Sequence, residues 1–176
     1  GGVEFGPATD RENIYVALAD IFMREQARPG MTALRIADGH ILWNTPAPPK
    51  PKCRWTNEYC DPALSQAVSA IPGAVFAGAM DGHFRAYDTT NGKVIWDFDT
   101  AGQTYTALSG RTVEGGIMDA AGPTIVNGKV YVHTGYAGRD GNPGNVLLAF
   151  SVDGASRAAI PSALRLSRAD ADAARV

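Results

Sequence analysis

An excess of charge of either sign is nearly absent from this 176-residue chain: 16 Lys and Arg stand against 18 Asp and Glu, a formal net charge of -2. Such a balance gives no electrostatic case for nucleic acid or an anionic membrane. No apolar run approaches the roughly 18 residues that a membrane span needs. The opening residues, Gly1-Gly2-Val3-Glu4-Phe5-Gly6, have neither a basic n-region nor an apolar h-region, and no Met precedes them. They do not read as a signal peptide; the expectation is the interior of a longer chain, or a mature end exposed by processing. Histidine is scarce: His40 and His83 fall in or beside turns and His133 in a strand, places that suit structural or solvated roles. There is no Cys-x-x-Cys-His, so no covalent haem site lies in this stretch. A Gly-rich phosphate loop and a nucleophile elbow are also missing.

Cysteine is limited to Cys53 and Cys60, which flank Arg54-Trp55-Thr56-Asn57-Glu58-Tyr59. The spacing is poor for a metal knuckle, and no His lies nearby. A local disulfide across an insertion loop is preferred over two free thiols. The approach, Pro46-Ala47-Pro48-Pro49-Lys50-Pro51, is stiff and extended. Oxidised cysteines would put the protein outside the cytoplasm, periplasmic or secreted.

What the chain does have is a repeat. Ala33-Leu34-Arg35-Ile36-Ala37-Asp38-Gly39-His40-Ile41-Leu42-Trp43 aligns with Ala86-Tyr87-Asp88-Thr89-Thr90-Asn91-Gly92-Lys93-Val94-Ile95-Trp96, with Ala, Gly, a β-branched residue and Trp in register. The offset of about 53 residues lies in the range of propeller blades. A third copy starts at Leu148-Ala149-Phe150-Ser151-Val152-Asp153-Gly154, and no Trp follows it. Upstream of each copy runs a stretch of alternating β-formers: Asn13-Ile14-Tyr15-Val16-Ala17, Gly73-Ala74-Val75-Phe76-Ala77-Gly78 and Asn127-Gly128-Lys129-Val130-Tyr131-Val132. Asn127-Gly128 is a strong hairpin signal, and Gly39, Asp81-Gly82 and Asn91-Gly92 mark further turns. No helical stripe is evident before Ala155. The expected fold is all-β, a partial β-propeller of about three blades over residues 1–154, in preference to a sandwich. Trp43 and Trp96 are expected between blades, each joining one sheet to the next. Residues 155–176, rich in Ala and Arg, are expected to be a frayed tail or to hold a short helix such as 163–168.

The segment from Asp81-Gly82-His83-Phe84-Arg85-Ala86-Tyr87-Asp88 through Gly92-Lys93-Val94-Ile95-Trp96-Asp97-Phe98-Asp99-Thr100 resembles the tryptophan-docking motif of pyrroloquinoline quinone (PQQ) dehydrogenases, which are eight-bladed propellers. Three further stretches, Gly115-Gly116-Ile117-Met118-Asp119, Ala121-Gly122-Pro123-Thr124 and 141–154, are similar to the polyvinyl-alcohol dehydrogenase-like branch. The resemblance covers roughly residues 1–154. It implies PQQ with calcium, an alcohol substrate, a cytochrome c or other electron acceptor, and a periplasmic habit. Non-catalytic propellers, outer-membrane assembly factors among them, carry similar blades.

PQQ is a planar tricarboxylate, so holding it calls for cationic or polar donors and a divalent metal with oxygen ligands. The best candidate segment is 111–119, which follows a docking Trp and leads into the strand near Ala121-Gly122-Pro123. Asp119 matches an acidic position of the family segment. It is expected to be a base, a metal ligand or a hydrogen-bond acceptor, with a turn-forming Asp as the plain alternative. Arg111 and Glu114 are cofactor-binding candidates that could instead pair on the surface. Gly115 and Gly116 would allow backbone to approach a ligand. Glu4 and Gln66 precede the equivalent strands of the other repeats and should face the same way. Two other readings compete: a non-catalytic binding or assembly scaffold, and a sugar-binding or hydrolytic β protein, the latter without a convincing carboxylate pair. About three blades would present only part of an axial site, so the chain alone is expected to be inactive and, with open sheets, to self-associate.

Overall fold

The computed structural model describes residues 2–21, 26–49, 53, 60–135 and 141–152. The 155–176 tail, where a short helix at 163–168 is one expectation, and the end of the third repeat from Asp153 lie outside the described residues, as do 54–59.

Every regular element described is a β-strand. The first sheet runs β1 (Ala8–Thr9), β2 (Asn13–Leu18), β3 (Gly30–Arg35), β4 (Ile41–Pro46), and the second runs β5 (Ser69–Ile71), β6 (Ala74–Gly78), β7 (His83–Asp88), β8 (Val94–Asp99). Both are antiparallel meanders in which neighbours in sequence are neighbours in space. A two-stranded ribbon follows, β9 (Thr104–Thr106) with β10 (Thr112–Glu114). A three-stranded sheet ends the described chain: β11 (Thr124–Val126), β12 (Lys129–Thr134), β13 (Val146–Ser151). The turn at Asn127-Gly128 has positive φ at both residues, as its hairpin signal requires.

The repeat is visible in the pairing. Ala33 sits opposite Trp43 and Ala86 opposite Trp96, and each ladder shifts register just after the Ala. A bulge at the same place in both sheets twists the outer strand alike. Trp43 is 9 % exposed and its indole Nε1 donates to the Thr89 carbonyl, 2.9 Å away, in the β7–β8 turn of the next sheet. Thr45 reinforces the joint, donating through Oγ1 to the Gly92 carbonyl at 2.7 Å. Gly92 has φ +71°, and a Cβ there would lie 2.7 Å from Trp43 Cδ2. The glycine therefore closes its own turn and receives the indole of the previous blade. Trp96 reaches forward in the same sense, to Phe150 of the third sheet at 5.0 Å between ring centroids.

Two apolar layers follow from this stacking. Tyr15, Met31, Ala33 and Trp43 of the first sheet pack with Val75, Ala77 and Tyr87 of the second. Phe84 and Trp96 of the second pack with Met118, Val132 and Phe150. A smaller cluster, Ala19, Ala63, Met80 and Ile117, joins the connections at one end of all three units. Each layer is a sheet-on-sheet contact between successive blades, the arrangement of a propeller sector.

Candidate functional site at the inner blade ends

Three segments that lead into the first strand of each unit lie side by side. Ala67 N donates to Ala120 O at 2.9 Å, Ala120 N to Ser65 O at 3.1 Å, and Val68 N to Gly6 O at 3.1 Å. Gln66 and Ala120 form a parallel bridge. This stitching brings together residues far apart in sequence. The Ser65 hydroxyl lies 2.7 Å from Glu4 Oε2 and 2.7 Å from Asp119 Oδ1. A hydroxyl carries a single proton and can donate to one carboxylate at a time. The trio thus holds more acceptor capacity than it can satisfy itself, and suits an added donor or a hard cation. Asp119 Oδ1 also accepts from Ala120 N at 2.8 Å. Ala120 has φ +65°, a left-handed conformation that is uncommon for a residue with a Cβ.

Gln66 is 1 % exposed, and neither its amide nitrogen nor its amide oxygen has a hydrogen-bond partner. The side chain lies between blades, close enough to Gly78 that a Cβ there would come within 2.5 Å of Gln66 Oε1 and Met118 Cβ. A buried, unpaired amide costs roughly 1–3 kcal/mol, so this position calls for a further polar group or water.

The remaining candidates lie apart from the trio. Arg111 and Glu114 are exposed on the β9–β10 ribbon and form no ion pair with each other. Glu114 is tied through its backbone, its N–H donating to Asn145 Oδ1 at 2.9 Å and its carbonyl accepting from Asn145 N at 2.8 Å. Gly115 and Gly116 are close-approach glycines, and protein fills the space. A Cβ on Gly115 would come 2.9 Å from the Thr100 carbonyl carbon, and one on Gly116 would come 2.7 Å from Gly135 Cα. Gly144 completes this junction, with Gly116 N and Glu114 O crowding its face.

At the same end of the second sheet lies a charged network that sequence reasoning missed. Arg85 Nη2 donates to Asp81 Oδ2 at 2.7 Å, with both side chains buried, and Arg85 Nε reaches Asp97 Oδ2 at 3.3 Å. His83 Nδ1 meets Asp97 Oδ1 at 2.6 Å. Burial works against the His83 charge, yet the bond to Asp97 outweighs it and holds the imidazole above its ordinary range. Burial, helped by Asp81, holds Asp61 above the usual carboxylate range. Tyr87, deep in the interblade layer, is pushed up to about 12 by burial. The cysteines pair as expected: Cys53 and Cys60 form a disulfide, and the Cys53 sulfur lies 3.9 Å from the Asp81 carbonyl oxygen.

A cleft of about 780 Å³ opens at the opposite end, lined by Arg11, Glu12, Arg35, Ile36 and Leu42 among others. Of its two carboxylates, Asp10 is already committed to the Tyr15 hydroxyl and the Glu12 and Asn13 backbone amides. Among the described residues no cluster of three or more His, Cys, Asp or Glu is placed to hold a metal ion, and no helix is long and apolar enough to cross a membrane.

Stacked four-stranded meanders joined by a docking Trp define a β-propeller sector of quinoprotein type. Residues 33–158 match the family described as "Outer membrane protein assembly factor BamB" (PQQ_2), and the chain belongs to that family of propeller repeats. It is 57 % identical over 162 residues to a "Polyvinylalcohol dehydrogenase" of Pseudomonas sp, covering 88 % of this chain and 25 % of that protein. A second "Polyvinylalcohol dehydrogenase", from Sphingopyxis sp. (strain 113P3), is 52 % identical over 165 residues with the same coverage. The chain thus spans a quarter of the length of these relatives. In fold it is similar to a "Europium-containing methanol dehydrogenase", with TM-score 0.50 and 21 % identity over 87 % of this chain and 23 % of that one.

Proposed function

We propose that this chain is a sector of a PQQ-dependent dehydrogenase that oxidises an alcohol and passes electrons to an external acceptor, a cytochrome c or another carrier. The observation that carries the reading is the Glu4–Ser65–Asp119 trio, assembled at the inner ends of three successive blades, in a chain more than half identical to polyvinyl alcohol dehydrogenases. The residues fit one part of such a site. Two carboxylates and a hydroxyl suit a hard divalent cation such as calcium, and the unpaired Gln66 amide can both donate to and accept from a bound polar group. They do not supply the cations that a tricarboxylate needs. Arg85 is consumed by Asp81 and Asp97, and Arg111 lies out on the ribbon. In the longer protein those donors would come from other blades.

When bound, PQQ supplies the two-electron acceptor. Asp119 takes the hydroxyl proton of the alcohol, and Ser65 and Glu4 fix the orientation and charge of its carboxylate. Gly115 and Gly116 act indirectly, by letting the backbone that bears Asp119 pack against Thr100 and Gly135. The disulfide and the kinship together support a periplasmic or secreted location. In the complete protein, Asp119→Asn is expected to lower kcat by about 10²–10⁴-fold, the usual worth of a general base, while PQQ stays bound by absorbance. Native turnover in that variant would overturn the reading. It would favour a non-catalytic scaffold, the role suggested by the assembly-factor description of the family.

A further inference from the structure

Between the second and third sheets the chain makes a detour that the repeat does not require, the β9–β10 ribbon. Its register is fully defined: Thr106 pairs with Thr112, Tyr105 with Val113 and Thr104 with Glu114. Directly paired residues of an antiparallel ladder share a face. One face therefore carries Tyr105 and Val113, both half-buried, and the other carries Thr104, Thr106, Thr112 and Glu114, all exposed. None of the three threonine hydroxyls has a hydrogen-bond partner among the described residues. The turn that closes the ribbon carries Leu108, 70 % exposed.

The ribbon is firmly based. Tyr105 donates its hydroxyl to Thr100 O at 3.1 Å, Gln103 Nε2 donates to Asp99 O, and Gly115 N donates to Gln103 O at 2.9 Å. Thr100 is fully buried and ties this base to the second sheet, its Oγ1 lying 3.0 Å from the Gly82 carbonyl oxygen and 2.8 Å from that of Gly116, either of which can accept its one proton. From Glu114 the chain passes through the glycine junction directly to Asp119. A pre-ordered face of methyls and unpaired hydroxyls thus stands on the same connection as the candidate base.

We infer that the Thr104–Thr106–Thr112 face of this ribbon is a binding subsite for a long, uncharged polyhydroxylated chain, holding polymer beyond the alcohol that reacts. This rests on the dehydrogenase reading above and adds how a polymeric substrate is selected. The chemistry matches in three respects. Each threonine hydroxyl both donates and accepts, as a chain hydroxyl does, so the two can pair in either sense. Each threonine methyl, with Leu108 at the tip, covers methylene groups between the hydroxyls. The threonines carry no charge that would demand a counter-ion, and Glu114 at the rim is an acceptor facing Thr104. A short alcohol that fills only the reacting position gains nothing from this face.

Two measurements test it. In the complete protein, the triple variant Thr104→Val, Thr106→Val, Thr112→Val keeps the side-chain shape and removes the hydroxyls. KM for polyvinyl alcohol should rise about tenfold, the worth of several modest hydrogen bonds. kcat should hold, and KM for pentane-2,4-diol should change less than twofold. Equal KM changes for polymer and diol, or no change for either, would overturn the subsite. The second measurement uses the complete protein without substitutions, so it does not depend on the variant's folding. Polyvinyl alcohol added to isotopically labelled protein should shift amide resonances of residues 104–114, and pentane-2,4-diol at equal hydroxyl concentration should not. Shifts elsewhere, or none, would also overturn it. Failure of the complete protein to oxidise even the diol would refute the dehydrogenase reading instead, and polymer-induced shifts on the ribbon would still stand.

Discussion

Gly92 shows how much one residue can carry in a repeat. Its φ of +71° favours a residue without Cβ, and the Trp43 indole and Thr45 hydroxyl occupy the space a Cβ would need. Gly92→Ala combines backbone strain with overpacking and is expected to destabilise the chain by about 2–4 kcal/mol in chemical denaturation. Trp43→Phe, which loses the bond to Thr89, should cost at least the roughly 1 kcal/mol of that hydrogen bond. The His83–Asp97 pair predicts a pH dependence. His83 is held above its ordinary 6.5 by Asp97, so its contribution is complete below pH 6.5 and disappears as pH rises through the raised value. Asp97 feels opposing influences: burial raises it, while His83 and Arg85 prevail and leave it below 3.8. Its contribution is complete above pH 3.8 and is lost as pH falls through the lowered value. The thermal midpoint should therefore fall as pH rises past about 6.5, and His83→Gln should flatten that limb. The role of Gly92 was legible because the docking Trp and the turn glycine recur in register. The His83 network was not, because Asp81, His83, Arg85 and Asp97 meet only through a turn and cross-strand pairing that no local pattern specifies.

Among elements, the connections between blades differ more than the blades do. The link from β4 to β5 carries the disulfide, and the link from β8 to β11 carries the ribbon. Closing a loop as short as Cys53–Cys60 should stabilise the fold by about 2–3 kcal/mol in the chain-entropy account. Cys53→Ser with Cys60→Ser is expected to lower stability by that amount, and mass spectrometry of unreduced native protein should show no free thiol. Gly115→Ala drives a Cβ into the Thr100 carbonyl and the Tyr105 ring. It should free the ribbon base, seen as faster hydrogen exchange at the backbone amide of position 115, which donates to Gln103 O in the native chain, in the absence of any cofactor. A glycine kept only for a ligand would leave that exchange unchanged. The strands were legible because alternating β-formers and turn glycines repeat with one period. The ribbon was not, since its three-residue strands are too short to show alternation, and its threonine face exists only through cross-strand register. The trio was half legible: Asp119 stood out by its match to an acidic position of the family segment and Glu4 by its place in the repeat, but Ser65 as their common partner required the three segments to be laid side by side.

At the scale of the molecule, one strand position tells what the chain expects next to it. Counting two residues back from the aligned alanines of β3, β7 and β13 gives Met31, Phe84 and Leu147. Met31 and Phe84 are fully buried, each under the following sheet, whereas Leu147 is 67 % exposed. Among the described residues the third sheet thus presents an interblade face with nothing upon it, in a chain that spans a quarter of its relatives' length. Full burial of a leucine is worth roughly 1.5–3 kcal/mol, and uncovered interblade faces favour contact between copies. Purified alone, the chain should run larger than a monomer in light scattering, and Leu147→Lys should shift it toward the monomer. The same geometry limits its chemistry. The trio supplies carboxylates, a hydroxyl and an amide, but its nearby arginine is already paired, so an isolated sector lacks cationic clamps for a tricarboxylate. Mixed with PQQ, calcium, a secondary alcohol and a dye acceptor, it is expected to bind PQQ weakly or not at all and to reduce no dye. Robust dye reduction by a monodisperse monomer would show that one sector suffices, and would place the reacting centre within these blades rather than among all the blades of a closed ring.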